Sequence, residues 1–168
     1  HNNMGATLQE LGRLQGAIAA FNKALLIKPD YAEAHNNMGN ALRDQGKPEE
    51  AIAAYNKALL IKPDLAEAHN NKGVALQTQG KFEEAIAAYN KALLIKPDYA
   101  EAYQNSMEAL EKWNKLDDLS ECIEKAKVSL EQVPPDIKYY EAKLLSRKND
   151  HLKALEILET FEAAEISK

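Results

Sequence analysis

Three histidines stand at one fixed step along the chain: His1, His35 and His69. Imidazole is a common metal ligand and a general base near neutral pH. A shared ion needs all its donors about 2 Å away at once, whereas a step of 34 residues places each ring on a separate structural unit. These rings therefore read as packing or surface groups. The single cysteine, Cys122, excludes an intramolecular disulfide and any multi-cysteine metal site. Its place on an apolar stripe reads as a buried, unreactive thiol. Gly39 to Gly46-Lys47 and Gly73 to Gly80-Lys81 have the wrong spacing for a phosphate-binding G-x-x-x-x-G-K-[ST] loop, and Pro48 or Phe82 stands where the hydroxyl would be. There is no H-E-x-x-H, no C-x-x-C and no nucleophile elbow. No catalytic residue, metal or cofactor is expected, and the chain reads as a non-enzyme.

The polar groups that remain are amides. Asn2-Asn3, Asn36-Asn37 and Asn70-Asn71 recur at the same step, and Gln104-Asn105 continues the row. A carboxamide offers two donors and an acceptor, so it can pair with any peptide unit whatever the side chain. That chemistry suits recognition of a polypeptide backbone.

The elements that must position these amides come from an internal repeat. Residues 35–68 reappear upstream as 1–34 with eleven changes, and downstream as 69–102 with six. A period of this size means stacked copies of one supersecondary unit. Each unit reads as two helices. The first starts near Ala32-Glu33-Ala34 and runs through Leu42, and Gly46 breaks it. Pro48 opens the second, with Glu49 and Glu50 in its first turn, where the helix dipole favours negative charge. Ala51, Ile52, Tyr55, Ala58, Leu59 and Ile61 follow at helical spacing. Lys62-Pro63-Asp64 ends the helix, because a residue before proline is pushed out of the α region. Gly39 and Ala51 are small enough for the two helices to approach closely, and Tyr55 and Ala58 are expected to face the next pair.

Gly39, Leu42, Gly46, Ala51, Tyr55, Ala58 and Pro63 resemble the signature of the tetratricopeptide repeat, a family named for this period. The match recurs as Gly5, Leu8, Gly12, Ala17, Phe21, Ala24 and Pro29, and as Gly73, Leu76, Gly80, Ala85, Tyr89, Ala92 and Pro97. His1, His35 and His69 stand where the family usually has a bulky ring. The resemblance implies an all-α, right-handed solenoid of stacked antiparallel helix pairs, whose first helices line a concave groove. Asn3, Asn37, Asn71 and Asn105 match a place where some members, the repeats of O-linked N-acetylglucosamine transferases among them, carry an asparagine ladder that holds an extended peptide. With helices about 8–10 Å apart and an extended chain rising about 3.3 Å per residue, one such residue per repeat grips roughly every third peptide unit. A structural role, holding neighbouring helices together, is the alternative for the same amides.

The close repeats differ mainly at Ala6, Asn40 and Val74, at Gln9, Arg43 and Gln77, and at Glu10, Asp44 and Thr78. These places face the groove in the family, so Asn3, Asn37, Asn40, Arg43, Asn71, Gln77 and Asn105 are the candidate peptide-binding residues. Surface drift explains the same variation. Lys72 replaces Met4 and Met38, and is read as snorkelling its charge out of the packed face. The cations of a carboxylate-clamp subtype are missing, since Asn2, Glu67 and Asn71 occupy their places.

After Tyr103 the pattern decays. Residues 103–136 form a fourth, degenerate repeat and 137–168 a fifth. Met107 and Leu119 replace the small residues of the helix contact, so this pair should sit further apart. The stop at Val133-Pro134-Pro135-Asp136 comes late, which predicts a longer helix. Tyr139, Tyr140, Ala142, Leu144 and Leu145 mark a ninth helix, Asn149-Asp150 a turn, and Leu152, Ala154, Leu155, Leu158 and Phe161 a tenth. The absence of a starting methionine and of a polar capping helix before Lys168 reads as a fragment with an exposed apolar end.

A net charge of −5 argues against nucleic acid, which needs a basic face to replace phosphate counterions. No apolar run is long enough to span a membrane, and no signal peptide is present, so a cytoplasmic location is expected. The expected function is a protein–protein interaction scaffold holding a peptide or protein in the groove. A substrate-recruiting arm of a glycosyltransferase or sulfotransferase, and a module that self-associates through uncapped ends, are the alternatives.

Overall fold

The computed structural model describes residues 1–157 except 149 and 151. No strand occurs among the described residues. The chain forms two compact units, one from His1 to Ile95 and one from Lys96 onward.

The first unit is built of α1 (Asn2–Glu10), α2 (Leu14–Ile27), α3 (Ala32–Asp44), α4 (Pro48–Ile61), α5 (Ala66–Thr78) and α6 (Phe82–Ile95). Each helix packs on its neighbours in chain order, and α3 also touches α1 and α5. These are the three regular helix pairs that the period predicts. Gly12, Gly46 and Gly80 take positive φ of 70°, 79° and 74°, the left-handed conformation that glycine adopts without a Cβ penalty. At Gly46, the Lys47 N–H reaches the Leu42 carbonyl (3.0 Å) and the Gly46 N–H reaches that of Arg43 (2.8 Å). This paired closure satisfies carbonyls that the helix end leaves open.

The core of each regular pair is one aromatic ring laid over one glycine. Phe21, Tyr55 and Tyr89 are fully buried. A Cβ placed on Gly39 would lie 2.5 Å from Tyr55 Cε1, and one on Gly5 or Gly73 as close to Phe21 or Tyr89. Tyr55 thus faces the first helix of its own pair as well as the next pair, whose Ala75 joins the same cluster. Ala58 packs toward the next pair with Leu65 and Ala68, as expected. The histidines fasten the loops between pairs. His35 Nε2–H donates to the Pro29 carbonyl and His69 Nε2–H to that of Pro63, both at 3.0 Å.

The second unit contains α7 (Ala100–Lys112), α8 (Leu116–Ser129) and α9 (Pro135–Arg147), and residues 152–157 are helical. Asn114 takes the glycine's place in the α7–α8 turn with φ of 59°. Lys115 N–H closes that turn on the Leu110 carbonyl at 2.9 Å. Here Met107 and Ile123, both buried, replace the glycine and ring. Two mid-sized side chains cannot nest as a flat ring does on bare backbone, and the α7 and α8 backbones come close at fewer places than those of α3 and α4.

One expectation needs correction. Helix α8 is not longer than its counterparts: it has 14 residues, as do α2, α4 and α6. Leu130 leaves the helix in extended backbone (φ −101°, ψ 127°) and is buried there. The extra residues therefore form a link that bends at Glu131 and Gln132, and Pro134 bars Val133 from helical geometry. In α9 the inward residues are Ile137, Ala142 and Leu144, whereas Tyr139 is exposed. Ala154 is buried as expected. Asn149, Leu158, Phe161 and the expected end face at Lys168 lie outside the described residues.

Gly39→Ala should destabilise the protein by about 1–3 kcal/mol, the usual cost of overpacking a filled core, measured by urea unfolding. Burial, reinforced by the charges of Lys91 and Lys72, holds His69 below the usual imidazole range although its Nε2–H bond to Pro63 acts the other way. Below about pH 6.5 the unfolded chain then binds more protons than the folded one, so acidification costs stability. His69→Gln should flatten the fall in melting temperature between neutral and mildly acidic pH.

Candidate peptide-binding face

The first helices α1, α3 and α5 carry the amides. Their geometry is a relay. Asn71 Nδ2 donates to Asn36 Oδ1 (3.1 Å), and Asn36 Nδ2 to Asn37 Oδ1 (3.5 Å). Asn37 Nδ2 donates to Asn2 Oδ1 (3.4 Å), and Asn2 Nδ2 to the Tyr31 hydroxyl (3.3 Å). The row therefore crosses from α5 through α3 to α1 and joins adjacent pairs. The first asparagine of each pair is the inner one: Asn36 and Asn70 are buried. Asn37 and Asn71 are half-exposed, and each spends one amide N–H on the relay and keeps a second. Asn3 is exposed, and its backbone carbonyl accepts from the Thr7 hydroxyl. Asn105 belongs to the second unit, where it is half-buried and hydrogen-bonded or otherwise engaged.

Asn40 and Gln77 have internal duties. The buried Tyr55 hydroxyl donates to Asn40 Oδ1, and the Tyr89 hydroxyl to Gln77 Oε1, both at 2.8 Å. Burial raises the Tyr55 hydroxyl above the usual phenol range, so it remains a donor at any physiological pH. This bond accounts for part of the variation among the repeats. The first pair has Phe21 and needs no acceptor, and it has Ala6 where Asn40 stands. The second pair has Tyr55 with Asn40. The third has Tyr89 with Val74 at the Asn40 place, and supplies the acceptor from Gln77 instead. Sequence reasoning missed this coupling, and only part of its signal was present: Asn40 accompanies Tyr55 where Ala6 accompanies Phe21, but Gln9 stands at the Gln77 place with no tyrosine hydroxyl to serve.

Arg43 lies against Asp44, with Nε at 3.2 Å and a terminal nitrogen at 3.0 Å from Oδ1. Gln9 Nε2 donates to the other Asp44 oxygen at 2.8 Å, which joins α1 to α3. The candidate residues of the first unit thus form a polar face that is largely pre-ordered by its own hydrogen bonds. That face can offer amide donors and one guanidinium to a ligand. No group of three or more His, Cys, Asp or Glu is placed to hold a metal among the described residues. The Cys122 thiol is pushed up to about 11 by burial, against the pull of a Ser106 hydrogen bond. No described helix is long and apolar enough to cross a membrane.

Asn40→Ala should cost about 1–3 kcal/mol by stranding the Tyr55 hydroxyl. Adding Tyr55→Phe recreates the Phe21–Ala6 pairing and should recover much of the loss. A double-mutant cycle on unfolding free energies measures this coupling.

The comparisons with known proteins agree with this architecture. The TPR repeat family model matches residues 5–42 and 39–80, and the tetratricopeptide repeat model matches residues 66–99. Together they span more than half of the chain. No curated protein matches. Among solved structures, a crystal structure of MamA superposes with a TM-score of 0.85 at 23% identity, covering 98% of this chain and 95% of that one. The 41-end portion of MamA from Desulfovibrio magneticus RS-1 gives 0.84 at 22% identity, with 99% and 93% covered. The pilF protein of Pseudomonas aeruginosa gives 0.84 at 24% identity, with 96% and 73% covered. At these identities the likeness is one of fold. Repeats of this kind are interaction scaffolds and generally non-catalytic. The chain belongs to the tetratricopeptide repeat family.

Proposed function

We propose that the protein is a non-catalytic scaffold that holds an extended peptide segment of a partner protein against α1, α3 and α5. The observation that carries this reading is the state of Asn37 and Asn71. Each is positioned by the relay yet half-exposed, with an N–H left over. Side chains ordered before binding lose little further entropy when a ligand arrives. Two such amides on adjacent repeats suit the peptide groups of an extended chain, and Arg43 adds a preference for a carboxylate or a carbonyl beside them. Asn40 and Gln77 contribute through the N–H groups that their tyrosine bonds leave free. Asn3 extends the proposed set along α1, and Asn105 is proposed as a peptide contact of the second unit by itself.

The test is a display library of random peptides, followed by titration of the selected sequences. An Asn37→Ala/Asn71→Ala protein should bind them about tenfold more weakly or worse, since each lost hydrogen bond is worth about 0.5–1.5 kcal/mol. Melting curves of both proteins separate lost contacts from lost folding. Equal affinity in a folded double variant would remove the asparagine row from the binding site.

A further inference from the structure

A second surface of the first unit has the shape and charge of a docking site. The outer faces of the second helices leave one leucine per repeat in solvent: Leu26, Leu60 and Leu94 are 83%, 84% and 82% exposed. Between α4 and α6, over α5, one of them borders a groove of about 480 Å³. Its apolar lining comes from Leu59, Leu60, Leu76, Ala87 and Ala88.

The charged lining is unbalanced. Lys72, Lys91 and His69 face the groove, against the single carboxylate of Glu84. Neither lysine has a salt-bridge partner among the described residues. Their ammonium charges add to burial in keeping His69 neutral. Lys72 is also the residue that breaks the repeat. One repeat earlier, Met38 lies against Ile18 and the clusters around Phe21 and Tyr55. A methionine there closes packing, whereas a lysine brings an unpaired charge to an apolar groove. The chain as a whole is acidic, at −5, so this local excess of lysine stands against the general charge.

We propose that the groove between α4 and α6 docks an acidic amphipathic helix from a partner protein, with leucine-type side chains on Leu59, Leu60 and Leu76 and carboxylates on Lys72 and Lys91. An apolar groove receiving one face of a helix is a recurrent recognition mode, and the volume lies in the usual range of binding pockets. The two lysines select the sign of the helix's flanking charge and hasten encounter. The surface is separate from the amide face, so the protein holds two ligands at once.

The probe is a fluorescein-labelled peptide of repeated Glu-Glu-Leu-Leu, followed by fluorescence anisotropy, with repeated Lys-Lys-Leu-Leu as the control. The acidic peptide should bind saturably and the basic one at least about tenfold more weakly. Lys72→Met restores the side chain present at Met4 and Met38 and should leave the fold intact. It should weaken the acidic peptide about tenfold, as should the exposed-site change Lys91→Glu, while Asn37→Ala/Asn71→Ala should leave it unchanged. Absence of saturable binding, equal binding of both peptides, or full affinity in Lys72→Met would overturn the proposal. So would a concentration-dependent dimer that Lys72→Met abolishes, because the occupant would then be a second copy of the chain.

Discussion

The contact on which the regular repeats depend is a ring lying flat on a glycine. Tyr55 covers Gly39 so closely that a single methyl group would collide with it. The arrangement excludes side chain from one helix so that the other can press an aromatic face against bare backbone. It buries the largest side chain of the unit without widening the helix pair. The small residues Ala51 and Ala54 pack beside it, and Ala75 of the next pair joins the same cluster. Where the pair is lost, at Met107 and Ile123, the helices still pack but their backbones come close at fewer places.

A buried tyrosine brings a hydroxyl, and the hydroxyl needs a partner. That requirement propagates to the surface. Asn40 and Gln77 lie at two different places in their repeats, yet each ends at a tyrosine oxygen. Part of what looks like ligand-tuned variation is therefore core satisfaction reaching outward. The same economy governs the asparagine pairs. The buried member of a pair and the exposed member of the next share a hydrogen bond, so the array is stapled by the groups that also face solvent. Recognition and stability are coupled in these residues, and neither reading of the amides excludes the other.

The outer side of the second helices follows a different logic. Each repeat copies Lys57, Leu60 and their counterparts, and these positions are exposed. A duplicated unit carries its surface with it. Divergence at one position, Lys72, then changes one junction while leaving the frame intact.

How much of this was legible beforehand follows from the range of each interaction. The period, the helix pairs and the turn glycines are set by residues close in sequence or repeated at one step; the ring-on-glycine contact was not among them, because the sequence turned Tyr55 only toward the next pair and the fold laid it on Gly39. Local propensity, a positive φ and a small-residue place therefore showed in the letters alone. The length of α8 was misread because proline sets only the latest point at which a helix can end, while Leu130 left earlier to bury its side chain. The direction of each amide was not legible either. An asparagine reads the same whether its N–H meets solvent, a tyrosine or the next repeat, and only the stacked helices decide which acceptor comes within 3.5 Å. The groove beside Lys72 belongs to the same class. It is made by side chains on α4, α5 and α6, and no one of these helices contains it.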